Sequence, residues 1–332
     1  MADTALPTGQ AYSRAHIAAH FTWAGLSTQA WSAAKYLVPK TWHSTPLPTP
    51  AKPGVTTLTT LAAYVAPGDA ASLRIQVVML EREITAQLWL RHYLIAAGNQ
   101  PETLATLSPK FADSLSQYVM DGQALVGRIA ARIHGNLLFL VAGSCPLATY
   151  GQFAELFGLC VASFQPTSTP THGIEPRSKG AVGKVVGFEY PGSWKSREVP
   201  ALDGKLATDL ISITGGQPTG IMRVKTCSKD QVTRMELQIE DALHEFASAG
   251  VIPGELMVNK GLAAVGPRFH SGFLQVFAAK TSAGVAQELW LVVAEDEDYY
   301  ITISLLTPDR RQHFLIWAWN RTAFDIVTES LV

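Results

Sequence analysis

The fold is decided by the stretch Glu288-Leu-Trp-Leu-Val-Val-Ala294, Glu295-Asp-Glu-Asp298, Tyr299-Tyr-Ile-Thr-Ile-Ser-Leu-Leu306. Two runs of aliphatic, β-branched and aromatic residues around a short polar turn are typical of an antiparallel hairpin. Thr307-Pro308 follows, and proline ends strand pairing because it has no N–H to donate. We therefore predict a strand, an acidic turn, a second strand and then a helix that extends to about Leu331.

The same order occurs once earlier in the chain. Strand-like runs at residues 124–133 and 137–142 flank a short turn, and Pro146 precedes an apolar helix that extends to about Phe164. Pro146 lies 162 positions before Pro308. This second occurrence predicts a duplicated architecture.

Three further landmarks repeat at a constant offset. The pairs, each 152 positions apart, are Pro39 and Pro191, Trp42 and Trp194, and Gly98 and Gly250. In each half a strand leads to the proline and tryptophan, and a later helix ends at the glycine, which suits a left-handed C-cap. The larger offset at the last helix predicts about ten extra residues in the second copy, between Gly250 and Trp290.

A chain of 332 residues suits two domains of about 150 residues each. We expect a flexible N-terminus at residues 1–15, a first repeat at 16–165, a linker rich in Pro, Ser, Thr and Gly at 166–183, and a second repeat at 184–332. Apolar residues occur at mixed spacing over 15–34, so the type of structure there stays open.

Composition favours a protein partner. The chain has 26 Lys and Arg against 27 Asp and Glu, so bulk charge argues against nucleic acid or an acidic membrane as partner. Charged residues make up only 16%, below the roughly 25% usual for a soluble domain, while 47% are hydrophobic. Some of the surface is therefore expected to be apolar.

The remaining compositional signals indicate a cytoplasmic protein. Cys145, Cys160 and Cys227 have no metal-binding spacing and are too few for a disulfide framework, so we expect reduced, buried thiols. The first 15 residues lack the apolar core of a signal peptide. The apolar run at 136–164 is interrupted by Pro146, so stable membrane insertion is not expected.

No motif in the sequence indicates catalysis, a cofactor or a metal. His16 and His20 have an i, i+4 spacing but no third ligand nearby. Gly215-Gly-Gln-Pro-Thr-Gly220 is followed by a strand, whereas a phosphate loop is followed by a helix. The acids at 295–298 are expected at a solvated hairpin tip. We therefore predict a protein that is not an enzyme, without catalytic, cofactor-binding or metal-binding residues.

The second half resembles the PsbP-like fold. The similarity lies in Phe188-Glu-Tyr-Pro-Gly-Ser-Trp194 at its head and in the strand and helix of residues 299–327 at its end. The first half is similar through its match to the second. The resemblance implies an α+β fold in two tandem copies, each a curved antiparallel sheet packed with helices.

Proteins with this fold include a photosystem subunit, a nuclear Ran-binding protein, the bacterial DcrB proteins and the effector-associated chaperones of type VI secretion. They are similar in being binding and assembly factors. The resemblance thus implies a non-catalytic adaptor or chaperone, in a bacterial secretion or conjugation system, that holds an apolar helix of a secreted client. The alternatives are a structural subunit of a larger complex and an enzyme without a recognisable motif.

The first strand of the deciding stretch is apolar on both faces. Leu289, Leu291 and Val293 alternate with the three residues of the other face, which are Trp290, Val292 and Ala294. An antiparallel sheet often packs one face on its own helices and leaves the other open. We predict Trp290, Val292 and Ala294 as partner-binding residues, with cover by the domain's own second helix as the alternative. Two fused copies would replace a homodimer, so a monomer is expected.

Overall fold

The structure is a computed structural model that describes residues 11–26, 30–48, 52–55, 57–170, 172–202, 205–232 and 234–332. Its contacts divide the chain into two compact units, Met1–Ile174 and Glu175–Val332. The expected flexible N-terminus falls largely on residues 1–10, which lie outside the described residues. Residues 15–34, where the mixed spacing predicts no single type of structure, include most of a short helix, one strand, a 3-10 helix and the first residue of a second strand.

The described part of the first unit contains three α-helices and ten strands. The helices are α1 (Arg14–His20), α2 (Ala86–Ala96) and α3 (Tyr150–Ser163). The strands are β1 (Phe21–Leu26), β2 (Ala34–Pro39), β3 (His43–Ser44), β4 (Thr59–Val65), β5 (Ser72–Met79), β6 (Gln100–Ser108), β7 (Phe111–Met120), β8 (Gln123–His134), β9 (Leu137–Pro146) and β10 (Gln165–Pro166). Seven of them form an antiparallel sheet in the order β3-β4-β5-β9-β8-β7-β6, and β1, β2 and β10 form a smaller sheet.

The described part of the second unit contains two helices and nine strands. The helices are α4 (Met235–Ser248) and α5 (Phe314–Glu329). The strands are β11 (Arg177–Val182), β12 (Val186–Pro191), β13 (Trp194–Leu202), β14 (Lys205–Thr214), β15 (Gln217–Ser228), β16 (Val251–Leu262), β17 (Ser271–Thr281), β18 (Ala286–Glu295) and β19 (Tyr299–Pro308). Seven of them form an antiparallel sheet in the order β13-β14-β15-β19-β18-β17-β16, and β11 pairs with β12.

The two large sheets have the same strand order, and the sequence landmarks occupy corresponding places in them. Pro39 ends β2 and Pro191 ends β12, while Pro146 ends β9 and Pro308 ends β19. Gly98 and Gly250 follow α2 and α4 with φ angles of 70° and 81°. The predicted α+β fold with two tandem repeats is therefore confirmed.

The extra residues of the second copy lie mainly in one hairpin. Two residues, 109–110, join β6 to β7, whereas eight residues, 263–270, join β16 to β17. Val265 and Phe269 of this longer connection form a β-bridge, and both side chains are buried. The connection is therefore anchored to the second unit by apolar packing.

Two local features differ from the expectations. The segment 166–183, expected to be a linker, contains β11, which pairs with β12 along its whole length. The last helix does not begin directly after Thr307-Pro308, because α5 begins at Phe314. The proline ends β19, and a polar turn then leads into the helix.

In the second unit, helices cover both faces of the large sheet. Ala242 of α4 packs with Leu289 and Leu291 on one face. On the other face, the ring of Trp290 lies 6.2 Å from that of Trp317 in α5. The first unit is built from the same elements, since α2 packs against β6, β7 and β8 while α3 packs against β8 and β9. No helix among the described residues is both long and apolar enough to cross a membrane.

Candidate protein-binding edge

The three residues predicted to bind a partner lie in the interior of the second unit. Trp290, Val292 and Ala294 are 6%, 1% and 0% exposed. The ring of Trp290 contacts Phe324 of α5 edge-on, with ring centroids 6.0 Å apart. The open face that we expected is thus covered by the domain's own helix, which is the alternative reading of the same pattern. A partner would reach these residues only if α5 left the sheet.

A buried carboxylate helps to hold α5 in this place. Glu288 lies on the same face as Trp290 and accepts hydrogen bonds from the indole N–H groups of Trp290 and Trp317, at 3.1 and 2.9 Å. Arg310 donates to both of its oxygens. Burial alone would raise the pKa of Glu288, but the hydrogen bonds and charge of Arg310 outweigh burial and lower that pKa. Sequence reasoning missed this cluster because Arg310 and Trp317 lie 22 and 29 positions from Glu288, beyond any local pattern.

The other charged clusters of the second unit are also ion pairs. Asp209 accepts from Arg223 and Arg197, and these contacts outweigh burial and lower the pKa of Asp209. Lys225 lies between Asp241 and Glu245, at 2.7 and 2.8 Å. These ion pairs connect β13, β14 and β15 with one another and with α4.

The histidines and cysteines that the sequence argues against as metal ligands lie in unrelated surroundings. His16 and His20 are exposed on α1 with ring centroids 4.4 Å apart. Within the described ranges, no group of three His, Cys, Asp or Glu residues could hold a metal ion. Cys145, Cys160 and Cys227 are buried free thiols, as expected.

The most exposed apolar segment of the second unit is the edge strand β16. In the sheet as described, β16 pairs only with β17. Leu256, Met257 and Val258 are consecutive and are 42%, 40% and 37% exposed. Register shifts on both sides of Leu256 place apolar side chains on both faces of the strand, because a bulge alters the alternation of side chains.

An edge strand presents unpaired backbone N–H and C=O groups along one side, and proteins usually protect such edges with charge or proline. The opposite edge of the same sheet, β13, is protected in this way by three exposed charged residues, Lys195, Arg197 and Glu198. β16 has Pro253 near its start and, in its twelve positions, one acidic and one basic residue, Glu255 and Lys260. Beyond Pro253, β16 therefore carries fewer charges than β13, and this part of the edge is the more open to pairing.

A groove of about 690 Å³ adjoins β16 where α4 begins. Its lining includes the apolar side chains of Phe273 of β17, Met235 of α4 and Tyr300 of β19, together with the charged residues Arg234, Glu236 and Glu295. Met235 and Tyr300 belong to one buried cluster with Val293, whereas Phe273 is 42% exposed. The groove thus joins a buried apolar floor to an exposed aromatic wall beside the open edge.

Sequence reasoning missed this edge for a physical reason. β16 contains Pro253, Gly254 and Gly261, which argue against a strand when read along the chain. The same residues are tolerated at an edge, because one side of the strand makes no sheet hydrogen bonds. Proline within an otherwise apolar run was the signal that could have identified it.

Comparisons with known proteins add little to this geometry. No protein-family model and no curated protein matches the chain. Among solved structures, cyanobacterial PsbP from Synechocystis sp. PCC 6803 is 14% identical with a TM-score of 0.32, covering 45% of this chain and 93% of its own. The Ran-binding protein Mog1p of Saccharomyces cerevisiae is 14% identical with a TM-score of 0.33, covering 46% and 96%.

A third solved structure spans both units. The immunity protein TplEi of the T6SS from Pseudomonas aeruginosa is 11% identical with a TM-score of 0.24, and the match covers 93% of this chain and 96% of that one. The first two structures are of the kinds that the sequence resemblance named. At such low TM-scores, however, these similarities carry no argument about the function of this chain.

Proposed function

We propose that this chain is a non-catalytic binding protein, an adaptor or chaperone, that takes an extended segment of a partner protein along β16. The observation that supports the proposal is the run of three consecutive exposed apolar residues on a sheet edge with few charges. Extended peptides add to such edges as a further strand, with backbone hydrogen bonds giving affinity and side-chain pockets giving specificity.

The form of the partner differs from the one implied by the sequence resemblance. An apolar helix needs an open sheet face or a groove between helices. In the second unit α4 and α5 occupy the two faces of the sheet, so an extended segment fits better than a helix. A cytoplasmic location and a bacterial secretion or conjugation system remain part of the proposal; the first rests on the cysteine usage and the sequence of the first 15 residues, and the second on the sequence resemblance.

The test compares the two edges of the second sheet. A partner is first captured from lysate of the source cells, identified by mass spectrometry and purified. Its binding is then measured for the wild-type chain, for Val258→Lys on β16 and for Glu198→Lys on β13. We expect Val258→Lys to weaken binding at least about tenfold, because a charge replaces an apolar contact. Glu198→Lys is the matched control and should bind as the wild type does.

Amide hydrogen exchange locates the contact independently. Addition of a further strand protects outward-facing amides of β16, because they gain hydrogen bonds. We expect slower exchange over residues 255–260 in the complex. A partner that protects other segments and binds Val258→Lys normally would show that the edge is not the binding site.

A further inference from the structure

A gap on the edge strand shows which partner side chain the groove accepts. A Cβ atom placed on Gly261 would meet no atom within 4 Å. Gly261 is exposed, and it is directly opposite Phe273 in the register of β16 and β17. The strand therefore lacks a side chain at the point where the groove opens beside it.

The register fixes the face on which this gap lies. Phe273 is opposite both Gly261 and Val293, and residues directly opposite one another point to the same face of a sheet. Val293 packs with Met235 at the start of α4. A residue opposite Gly261 on an added strand would thus project over the glycine toward Phe273 and Met235.

The next residue supplies a charge. Lys260 is exposed and points to the other face of the sheet, since side chains alternate along the regular stretch from Val258 to Leu262. An opposite charge directly across from it on an added strand is favourable, whereas a like charge is unfavourable. Val258, two positions away on the same face as Lys260, offers an apolar neighbour.

We propose that the partner segment places a large apolar or aromatic side chain over Gly261 and an acidic residue opposite Lys260, with an apolar residue opposite Val258. This inference rests on the proposed function and names the chemistry of its partner. In the antiparallel arrangement, which is the more stable pairing, the segment reads aromatic, acidic, any residue, apolar. The aromatic side chain fills the gap that the glycine leaves in the edge.

The probe is a fluorescein-labelled peptide, Ser-Thr-Phe-Glu-Thr-Val-Thr-Ser, whose binding to the full chain is followed by fluorescence anisotropy. A second peptide has Ala in place of Phe. We expect the Phe peptide to bind at least about fivefold more tightly, because its ring loses water-exposed area in the groove. In Gly261→Val the two peptides should bind equally, since the added side chain occupies the gap. Valine suits a strand, and Gly261 does not have the positive φ that would exclude it.

The contact between Lys260 and the acidic residue of the peptide is tested by exchanging the two charges. Lys260→Glu should weaken binding of the Phe peptide, and a peptide with Lys in place of Glu should restore it. If the Phe and Ala peptides bind the wild type equally and Val258→Lys abolishes both, the groove inference is overturned while binding at the edge stands. If neither peptide binds the wild type, both this inference and the proposed edge are overturned.

Discussion

The guanidinium of Arg310 forms a two-pronged pair with the buried carboxylate of Glu288, and its Nη2 lies 2.8 Å from Oε2. Arg310 lies in the turn between β19 and α5, whereas Glu288 lies on β18. The carboxylate is 1% exposed, and the indole N–H groups of Trp290 and Trp317 complete its hydrogen bonds. This pair therefore ties the last helix to the face of the sheet that a partner was predicted to use.

Glu288→Gln should destabilise the chain. The substitution removes the charge that Arg310 neutralises and turns one acceptor into a donor facing N–H groups. Breaking one side of a buried pair costs about 3–5 kcal/mol. We expect the free energy of unfolding in urea to fall by about 3 kcal/mol, because Arg310 still reaches solvent. Glu198→Gln, on the exposed edge strand β13, is the control and should change the free energy of unfolding by less than about 0.5 kcal/mol. Equal stabilities of the two variants would contradict the role of the pair.

The same carboxylate predicts a loss of stability in acid. The pKa of Glu288 in the folded chain is lowered from 4.5 because the contacts with Arg310 outweigh burial. A depressed carboxyl pKa stabilises the folded state above the unfolded pKa, and this contribution is lost as the pH falls through the folded value. Thermal unfolding between pH 6 and 3 should therefore show a decline below about pH 4.5. Glu288→Gln should reduce this decline, and an unchanged decline would contradict the assignment.

Asp325 on α5 predicts a dependence of the opposite sign. Burial raises its pKa from 3.8 to about 6, despite the nearby charge of Arg321. A raised carboxyl pKa means that the folded state binds the proton more tightly, so stability increases as the pH falls from about 6 to about 4. About a third of the side chain reaches solvent, so the effect should be small. In the same series of thermal unfolding experiments, Asp325→Asn should remove this increase in stability between about pH 6 and 4. If the stability of Asp325→Asn changes with pH in parallel with that of the wild type, the assignment to Asp325 is contradicted.

The paired glycines predict matched effects in the two units. Gly98 and Gly250 have positive φ angles, which cost other residues roughly 1–2 kcal/mol. Gly98→Ala and Gly250→Ala should each lower the free energy of unfolding by about 1 kcal/mol. Gly151→Ala lies within α3, where a Cβ meets no atom, and should leave stability equal or slightly higher. A loss at only one of the paired sites would show that the repeats do not share this cap.

Much of the fold could be predicted from the sequence because duplication made each weak signal occur twice. Strands such as β8 and β18 are central in their sheets and largely buried on both faces, so each contains a long run of mainly apolar residues, such as residues 289–294 of β18. Proline and glycine mark the same boundaries in both copies. Agreement between two copies gave the order of elements without any knowledge of their contacts.

The candidate site could not be predicted in the same way. The apolar sequence of β18 indicates that both of its faces are covered. It does not indicate whether a partner or a helix of the same chain covers them. That depends on the contact of Trp290 with Trp317 in α5, which lies 27 positions further along. The open edge depends on which strand is last in the sheet, and β16 carries proline and glycine that obscure it. Both properties are set by tertiary pairing rather than by local pattern.

The first unit has a buried ion pair of its own, which allows the cost of an unpaired charge to be separated from the benefit of the pair. Arg128 on β8 lies 2.7 Å from Asp113 on β7, and their side chains are 3% and 5% exposed. Burial raises the pKa of Asp113 despite the opposing contacts with Arg128. Burial at this position therefore disfavours the ionised form of Asp113 even though Arg128 is present.

Arg128→Met should lower the free energy of unfolding by about 3–5 kcal/mol, because it leaves Asp113 buried without its cation. The double variant Arg128→Met/Asp113→Leu should recover most of this loss, since two desolvated charges are replaced by apolar side chains of similar size. Lys205→Met in the partly exposed pair with Asp241 is the comparison and should cost less than about 1 kcal/mol. Urea unfolding measures all three. A double variant as unstable as Arg128→Met alone would mean that the pair itself, rather than the unpaired carboxylate, determines the stability at this position.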